Sequence, residues 1–252
     1  MDTPGTGPGA GTRGWVVGTS SLRRHLRELH AALRVLVCVL VTLLLASVRT
    51  GRPDEEHGTP VASARTLVVL VHGFGAGSDC WDAVAGGLGG PAVAVVRHRY
   101  RWTRRVDGLG AELADRVLDL AAHSGARTVT LVGHSLGGVV VAAALADPRL
   151  AGVVTHVVTV AAPLHGTGWA RLFPVGAVRD LRRGRLPDTA PVPWTTLASR
   201  TDAVVTPAAA TTSGADAVLL DGVGHCGLLR DPRVVARIAE LAAPTDALAL
   251  AA

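Results

Sequence analysis

Apolar positions from Thr66 onward alternate between short runs and longer segments with helical spacing. In the longest of these segments, Leu109, Leu113, Val117 and Leu120 fall on one face of a helix. The pattern predicts strands at Leu67–Val71, Ala92–Arg97, Thr128–Val132, Val153–Ala161, Trp194–Ser199 and Ala217–Leu220, and helices at Asp79–Gly87, Val106–Ser124, Gly138–Ala146 and Pro232–Ala242. Strands separated by helices indicate the α/β class, with a central, mostly parallel sheet that carries helices on both faces.

The residues before this domain follow a different pattern. Residues 1–34 are rich in Gly, Thr and Pro and then in Arg, which predicts a basic, partly disordered N-terminal region. Residues 35–48 form an uninterrupted apolar run, and residues 49–65 are polar and contain prolines, as a linker does. We therefore expect one α/β domain at residues 66–252.

The apolar run at residues 35–48 is shorter than a membrane-spanning helix, which needs about 20 apolar residues. It matches the roughly 7–15 residues of a signal-peptide core, and the arginines before it favour an N-terminus that stays in the cytoplasm. No A-x-A site follows the run, so a cleaved signal and an uncleaved anchor both fit. A buried amphipathic or core helix is a third interpretation, and the lack of a polar face in the run argues against it. We expect a secreted or membrane-anchored protein whose α/β domain lies outside the cytoplasm.

The basic character of the chain comes from arginine alone. The net charge is +5 and the sequence contains no Lys, Asn or Gln, a skew that is typical of a GC-biased genome. The pI near 10.3 is therefore no sign of nucleic-acid binding, and no basic stripe with interleaved aromatic residues supports such a partner.

Three cysteines are too few for a disulfide framework. Cys38 lies in the apolar run, which leaves Cys80 and Cys226 as the one possible pair. The sequence leaves open whether these two residues meet.

A G-x-S-x-G motif at residues 133–137 follows the strand Thr128–Val132 without a spacer. The small apolar residues after the motif suit a helix, so Ser135 is predicted to lie at a sharp turn between strand and helix. Glycines two residues on either side would avoid collisions with the neighbouring strand and helix. The serine hydroxyl is then exposed at the carboxyl end of the sheet, beside a helix N-terminus that favours negative charge.

A serine hydroxyl needs a general base to act as a nucleophile. His225 lies in a glycine-rich loop directly after the last predicted strand, where an imidazole can reach Ser135. His156 falls inside an apolar strand and is interpreted as a core or face residue. His165 follows Pro163 in a loop and is interpreted as a residue that lines the site.

The base in turn needs an orienting carboxylate. Asp202 comes just after the strand Trp194–Ser199, on the same edge of the sheet as the serine and between it and His225 in sequence. The alternatives are Asp180, interpreted as a surface charge, and Asp221, interpreted as a turn former. Asp147 and Asp216 are interpreted as a helix end and a turn.

Backbone amides must stabilise the oxyanion, because the chain has no side-chain amides. The amide of Leu136, which follows the serine, is one predicted donor. The loop His72–Gly75 follows the first strand of the domain, and the Phe74 amide is the second predicted donor. An ordinary turn at the end of the strand is the alternative interpretation of this loop.

Four ordered segments together resemble lipases and esterases of the α/β-hydrolase family, most closely the small bacterial lipases. They are VVLVHGFG at residues 68–75, LVGHSLGG at residues 131–138, Thr-Asp at residues 201–202 and GVGHCGLL at residues 222–229. The resemblance implies Ser135 as nucleophile, Asp202 as orienting acid, His225 as base, and Phe74 and Leu136 as oxyanion donors. It implies an ester or lipid substrate, no cofactor and no metal, and a structural role for His134. The same three residues would also serve a thioesterase, an amidase, a deacylase or an acyltransferase, and a non-catalytic, membrane-anchored binding protein is the alternative outside enzymes.

Residues 164–191 occupy the position where this fold inserts a lid. Trp169, Leu172, Phe173 and Val175 accompany Arg179, Arg182, Arg183 and Arg185 in this insert. Such a composition favours a small amphipathic lid or a patch for a lipid interface, and a solvated loop is the alternative.

Overall fold

The computed structural model describes residues 55–90, 92–171, 176–182 and 190–243. The strands are β1 (Glu55–Gly58), β2 (Thr66–Val71), β3 (Val93–His98), β4 (Thr128–His134), β5 (His156–Val160), β6 (Trp194–Ser199) and β7 (Asp216–Leu220). The α-helices of these ranges are α1 (Asp82–Gly87), α2 (Val106–Ser124), α3 (Leu136–Ala144), α4 (Gly176–Asp180), α5 (Pro207–Ala210) and α6 (Pro232–Leu241).

The described strands form one sheet in the order β1-β3-β2-β4-β5-β6-β7. All neighbouring pairs from β3 to β7 are parallel, and β1 alone of these strands runs antiparallel, against β3. The predicted α/β fold with a mostly parallel sheet is confirmed. The carboxyl ends of β4, β6 and β7 consequently lie at one edge of the sheet.

Helices cover both faces of this sheet. Trp81 and Ile238, from the segments around α1 and α6, share a buried cluster with Val68, Leu70 and Val132 of the central strands. On the other face α2 packs closely against α3, since a methyl group at Gly110 would lie 2.8 Å from the Cβ of Ala143. The sheet is thus a rigid support for the loops at its edges.

The structure differs from the sequence interpretation at the start of the domain. The sequence predicts a linker at residues 49–65, yet Glu55–Gly58 within it pairs with β3 as an edge strand. The predicted basic region at 1–34 and the apolar run at 35–48 lie outside the described residues. In the ranges that are described, no helix combines the length and the apolar character needed to cross a membrane.

Candidate active site

Ser135 occupies a strained turn between β4 and α3. Its backbone has φ 52° and ψ −123°, a conformation that non-glycine residues rarely adopt. β4 ends at His134 and α3 begins at Leu136, so one residue makes the whole connection. The side chain of Ser135 is thereby directed out of the sheet at its carboxyl edge.

The glycines of the motif leave no space for a side chain. A Cβ on Gly133 would lie 2.5 Å from the Cα of Gly138, and a Cβ on Gly137 would lie 2.1 Å from the carbonyl oxygen of Val71. The predicted steric reason for the two glycines is therefore present in the structure. Gly138 is equally restricted, because its Cβ would lie 2.4 Å from the Cβ of Ala162.

Backbone hydrogen bonds support the strained serine on both sides. The Ser135 amide donates to the carbonyl of Val160 at the end of β5 (2.9 Å), and the Gly138 amide donates to the Ser135 carbonyl (3.0 Å). These bonds satisfy both polar backbone groups of a residue that belongs to neither element.

The structure brings Ser135, His225 and Asp202 into one hydrogen-bonded chain. His225 Nε2 lies 3.0 Å from Ser135 Oγ, and His225 Nδ1 lies 2.8 Å from Asp202 Oδ2. An ionised carboxylate only accepts hydrogen bonds, so Nδ1 carries the proton and Nε2 is left to accept one from the serine. The three residues come from the ends of β4, β6 and β7, as the sequence predicted.

Asp202 is held in its ionised form. Burial raises its pKa, but hydrogen bonds from His225 and from the amides of Val205 and Val204 outweigh burial and keep the pKa below its usual value. The two amides donate to Oδ1 at 3.0 Å and 2.7 Å, while Oδ2 faces the imidazole. The Asp202 side chain is fully buried and that of His225 is 13% exposed.

The alternative acids and bases lie elsewhere. His156 Nε2 is within 3.1 Å of Thr195 Oγ1, and exposed His165 contacts the carbonyl of Thr211 at 2.8 Å. Asp221 is an exposed partner of Arg200. The interpretation of Asp180 as a surface charge is wrong: it is buried and ion-paired with Arg105, because the guanidinium and the Val106 amide lie directly opposite its carboxylate.

The predicted oxyanion loop, residues 72–75, packs directly beside the serine. A Cβ on Gly73 would lie 3.1 Å from the Cβ of Ser135, and the close contact between Gly137 and Val71 joins the start of α3 to the end of β2. The loop that contains Phe74 and the helix start that contains Leu136 are therefore adjacent, as two donors to one oxyanion must be.

Two aromatic residues that the sequence analysis did not single out hold this loop. Tyr100 Oη donates to the His72 carbonyl (2.6 Å), and the two rings stack with their centroids 4.4 Å apart. The rings of Phe74 and Trp102 form an edge-to-face pair with their centroids 4.6 Å apart. Burial raises the pKa of Tyr100, so its hydroxyl keeps the proton that it donates.

His134, the residue before the serine, is buried between Trp81 and His225. Its ring centroid lies 6.5 Å from Trp81 and 4.9 Å from the His225 ring, and its Nε2 lies 3.3 Å from the His225 carbonyl. Burial lowers the pKa of His134 to about 3. His134 is therefore a neutral packing partner of His225 at ordinary pH.

The described part of the 164–191 insert is fastened to the domain. Asp180 in α4 pairs with Arg105 at the start of α2, and the Ala177 amide donates to the Trp102 carbonyl (3.0 Å). Trp169 Nε1 donates to the carbonyl of Ala203, the residue after Asp202 (3.1 Å). Residues 172–175 and 183–189, which include Phe173 and Arg183, lie outside the described residues, so the lid stays a prediction.

Cys80 and Cys226, the cysteines of the described ranges, are both free thiols. Burial raises the pKa of Cys80 to about 12 and also raises that of Cys226. Neither thiol is therefore activated as a nucleophile.

Comparisons with known proteins identify the family and the fold of this chain. A model of the alpha/beta hydrolase family matches residues 68–194, half of the chain. Among solved structures, the mature lipase BlEst2 from Bacillus licheniformis is 20% identical with a TM-score of 0.66, over 77% of this chain and 100% of that one. RedJ, a thioesterase from the prodiginine biosynthetic pathway in Streptomyces coelicolor, is 19% identical with a TM-score of 0.54, over 76% of this chain and 95% of that one.

A search of curated protein sequences finds no match. The likeness to the solved structures concerns the fold, while the family match covers the segment from within β2 through the serine turn to the start of β6. The chain belongs to the alpha/beta hydrolase family.

Proposed function

We propose that the protein is a serine hydrolase that cleaves carboxylic esters, including lipid esters, through an acyl-enzyme intermediate. The observation that carries this proposal is the continuous hydrogen-bonded chain from Ser135 Oγ through His225 to the buried carboxylate of Asp202. Nucleophile, base and orienting acid are each within hydrogen-bonding distance of the next, which is the geometry that acyl transfer by serine requires.

In the first step, Ser135 Oγ attacks the ester carbonyl while His225 Nε2, 3.0 Å away, takes the hydroxyl proton. The imidazolium that forms is stabilised by Asp202, whose carboxylate stays ionised because its pKa lies below the usual value. The tetrahedral oxyanion receives hydrogen bonds from the amides of Leu136 and Phe74, beside the positive end of α3.

To complete acylation, the first tetrahedral intermediate collapses, His225 gives its proton to the departing alcohol, and Ser135 remains acylated. Water then enters, loses a proton to His225 and attacks the acyl carbonyl. Collapse of this second tetrahedral intermediate releases the carboxylic acid and returns the proton to Ser135. Apart from water, these steps use only the residues named.

Lipid esters are the favoured substrates because a groove that includes the apolar side chains of Trp169 and Val204 lies beside the turn that carries Asp202, and because the fold is similar to that of the lipase BlEst2. This groove has a volume of about 570 Å³, runs along the residues that follow Asp202, and is lined by Trp169, Arg171, Val204 and Thr206, among others. A thioester is the second candidate, since RedJ shares the fold and the same proton transfers serve a thiolate leaving group.

The test is hydrolysis of p-nitrophenyl esters of increasing acyl length by the full chain in detergent, with Ser135→Ala as the inactive variant. We expect kcat to fall on the order of 10⁴-fold or more in Ser135→Ala. A fluorophosphonate probe should label the wild type and leave Ser135→Ala unlabelled. Retained turnover in the variant would refute the assignment of the nucleophile.

Parallel assays with acyl thioesters of the same chain lengths separate the two candidates. A higher kcat/KM for oxygen esters that rises with acyl length supports a lipase. A preference for thioesters, with Ser135 still labelled, replaces the substrate class but keeps the mechanism. Absence of both turnover and labelling would exclude a serine hydrolase.

We further propose that the domain acts outside the cytoplasm, close to a lipid interface. This rests on the apolar run at residues 35–48 and the arginines before it. Protease treatment of intact cells should digest the domain if it is anchored and exposed, whereas a secreted form should appear in the medium. Protection in intact cells, with digestion after lysis, would contradict the proposal.

A further inference from the structure

The loop that carries His225 must bridge a wide part of the sheet. β7 lies three strands away from β4 in the sheet order, which corresponds to about 14 Å at roughly 4.8 Å per strand. Yet His225 Nε2 lies 3.0 Å from Ser135 Oγ. Residues 221–224 therefore carry the chain from the end of β7 back past the end of β6 towards the serine.

This loop has little stiffness of its own. Gly222 has a φ of 79°, and neither Gly222 nor Gly224 has an atom within 4 Å of the position where a Cβ would be. Val223 between them is half-buried and packs against the central core cluster. A glycine on each side gives the backbone around Val223 more freedom than other residues would, so the position of His225 depends on what holds Val223.

Two hydroxyl groups hold the carbonyl of Val223. Ser199 Oγ donates to it at 2.6 Å, and Thr201 Oγ1 lies 3.1 Å from the same oxygen. Ser199 is the last residue of β6 and is completely buried. Ser199 pairs with Leu220, the last residue of β7. Its hydroxyl therefore adds a hydrogen bond between the β6 end and the loop after β7, just beyond the last paired residues of the two strands.

A buried hydroxyl needs only one hydrogen-bond acceptor, and any nearby carbonyl would serve. Here two hydroxyls share the same carbonyl, so their arrangement does more than satisfy one buried group. The two donors lie at the end of β6 and in the turn that carries Asp202, and their shared acceptor lies two residues before His225. The Ser199 hydroxyl also accepts from the Thr201 amide (3.2 Å), which ties the turn together. The turn that carries Asp202 and the loop that carries His225 are thus joined by hydrogen bonds other than the one between Asp202 and His225.

We propose that Ser199 and Thr201 are positioning residues that fix His225 relative to Ser135 by holding the Val223 carbonyl. The proposal rests on the proposed function of the Ser135, His225 and Asp202 site. It identifies two side chains that touch neither substrate nor reacting atoms but set the distance over which the proton is transferred.

The test compares Ser199→Ala, Thr201→Val and Thr201→Ser with the wild type. A displacement of about 1 Å at a reacting group can cost on the order of 10²-fold in rate, so we expect a 10- to 100-fold lower kcat in Ser199→Ala. KM should stay within about twofold, because the substrate contacts are unchanged. Thr201→Val should lose several-fold in kcat, and Thr201→Ser, which keeps the hydroxyl, should restore it.

Ser124→Ala is the matched control for the loss of a buried hydroxyl. Ser124 Oγ donates to the Ala121 carbonyl (3.2 Å) and accepts from the Ala126 amide (3.0 Å) at the end of α2, before β4 enters the sheet at its opposite edge. Ser199→Ala and Ser124→Ala should both lower the free energy of unfolding. Only Ser199→Ala should lower kcat.

A second readout needs no substrate. The proton on His225 Nδ1, shared with Asp202, gives a low-field resonance in the proton NMR spectrum of such sites, and His225→Ala identifies it by its disappearance. We expect Ser199→Ala to shift or broaden this resonance and Ser124→Ala to leave it unchanged. If the wild type turns over no ester, the proposed function fails, and the resonance still tests the link to Val223.

A Ser199→Ala protein with wild-type kcat and an unchanged resonance would overturn the proposal. The same holds if Thr201→Ser and Thr201→Val have equal kcat values, because then the hydroxyl is not what matters. A loss of unfolding free energy equal to that of Ser124→Ala, without these two changes, would leave Ser199 with a structural role only.

Discussion

Gly137 lies where the start of α3 contacts the strand that leads into the oxyanion loop. A methyl group at this position would be 2.1 Å from the carbonyl oxygen of Val71 and 2.4 Å from that of His72. Both contacts are with backbone atoms, so no side-chain rotation relieves them. We therefore predict that Gly137→Ala separates the two proposed oxyanion donors, the amides of Leu136 and Phe74.

The size of the effect follows from these distances. Ordinary contact begins at 3.4 Å, so the helix start and the strand must move apart by more than about 1 Å. A misplacement of about 1 Å at reacting groups costs on the order of 10²-fold in rate, and overpacking of a core costs about 1–3 kcal/mol in stability. We expect kcat to fall about 100-fold and the free energy of unfolding to fall by about 1–3 kcal/mol.

The assay measures kcat and KM on a p-nitrophenyl ester together with urea unfolding. Gly138→Ala is the matched variant, because its methyl group would crowd the Cβ of Ala162 at 2.4 Å, away from the oxyanion loop. Gly86→Ala in α1 meets no atom within 4 Å and should be stabilising by about 0.5–1 kcal/mol. Gly138→Ala should lose stability with a smaller loss in kcat, and Gly86→Ala should keep full activity.

Wild-type kcat in a folded Gly137→Ala protein would refute the reasoning, since the two backbone contacts would then be irrelevant to the reaction. Equal losses of kcat in Gly137→Ala and Gly138→Ala would also contradict it. In that case general crowding of α3, rather than the separation of the two amides, would be responsible.

The remaining predictions concern buried titratable groups. Burial lowers the pKa of His72 to about 4 and that of His134 to about 3, while the unfolded chain takes up a proton at each near pH 6.5. The free energy of unfolding should therefore fall as the pH decreases from 6.5 towards 4, by about 1.4 kcal/mol per pH unit for each histidine. Urea unfolding at several pH values should show a smaller decrease per pH unit in His134→Phe than in the wild type. Asp180→Asn should lower the free energy of unfolding by about 1–2 kcal/mol. The loss is modest because the partner, Arg105, is half-exposed. The variant should also be cleaved faster than the wild type at residues 176–182 in limited proteolysis. An unchanged melting temperature and digestion pattern in Asp180→Asn would show that the pair does not fasten α4.

The sequence predicted those parts of the fold that local patterns encode. Strand β6 and helix α2 have their predicted bounds, because each combines a strong apolar pattern with clear ends. Helix α3 begins at Leu136 rather than at the predicted Gly138, because Leu136 and Gly137 are already helical and Ser135 alone makes the turn. The sequence led to the proposed triad because each of its residues comes at or shortly after the carboxyl end of a strand.

The features that were missed depend on contacts between distant segments. Glu55–Gly58 is polar and pairs with β3 at one edge of the sheet, and no apolar alternation marks it as a strand. Asp180 and Arg105 are 75 residues apart in sequence, and their ion pair leaves no local signal. Likewise, nothing in the spacing of Ser199 and Val223 indicates that a hydroxyl of one strand end holds the loop of another.

The three residues of the proposed triad are anchored to different degrees, and the differences match their tasks. Ser135 is fixed by its own strained turn and the Val160 carbonyl, and Asp202 by two backbone amides and complete burial. His225 has to exchange protons with the serine, the leaving group and water, so it sits at the end of a glycine-flanked loop and is partly exposed. A base on an unsupported loop would lose its alignment with the serine. An anchor on the Val223 carbonyl, two residues before His225, leaves the imidazole free to exchange protons and keeps the Ser135–His225 distance short.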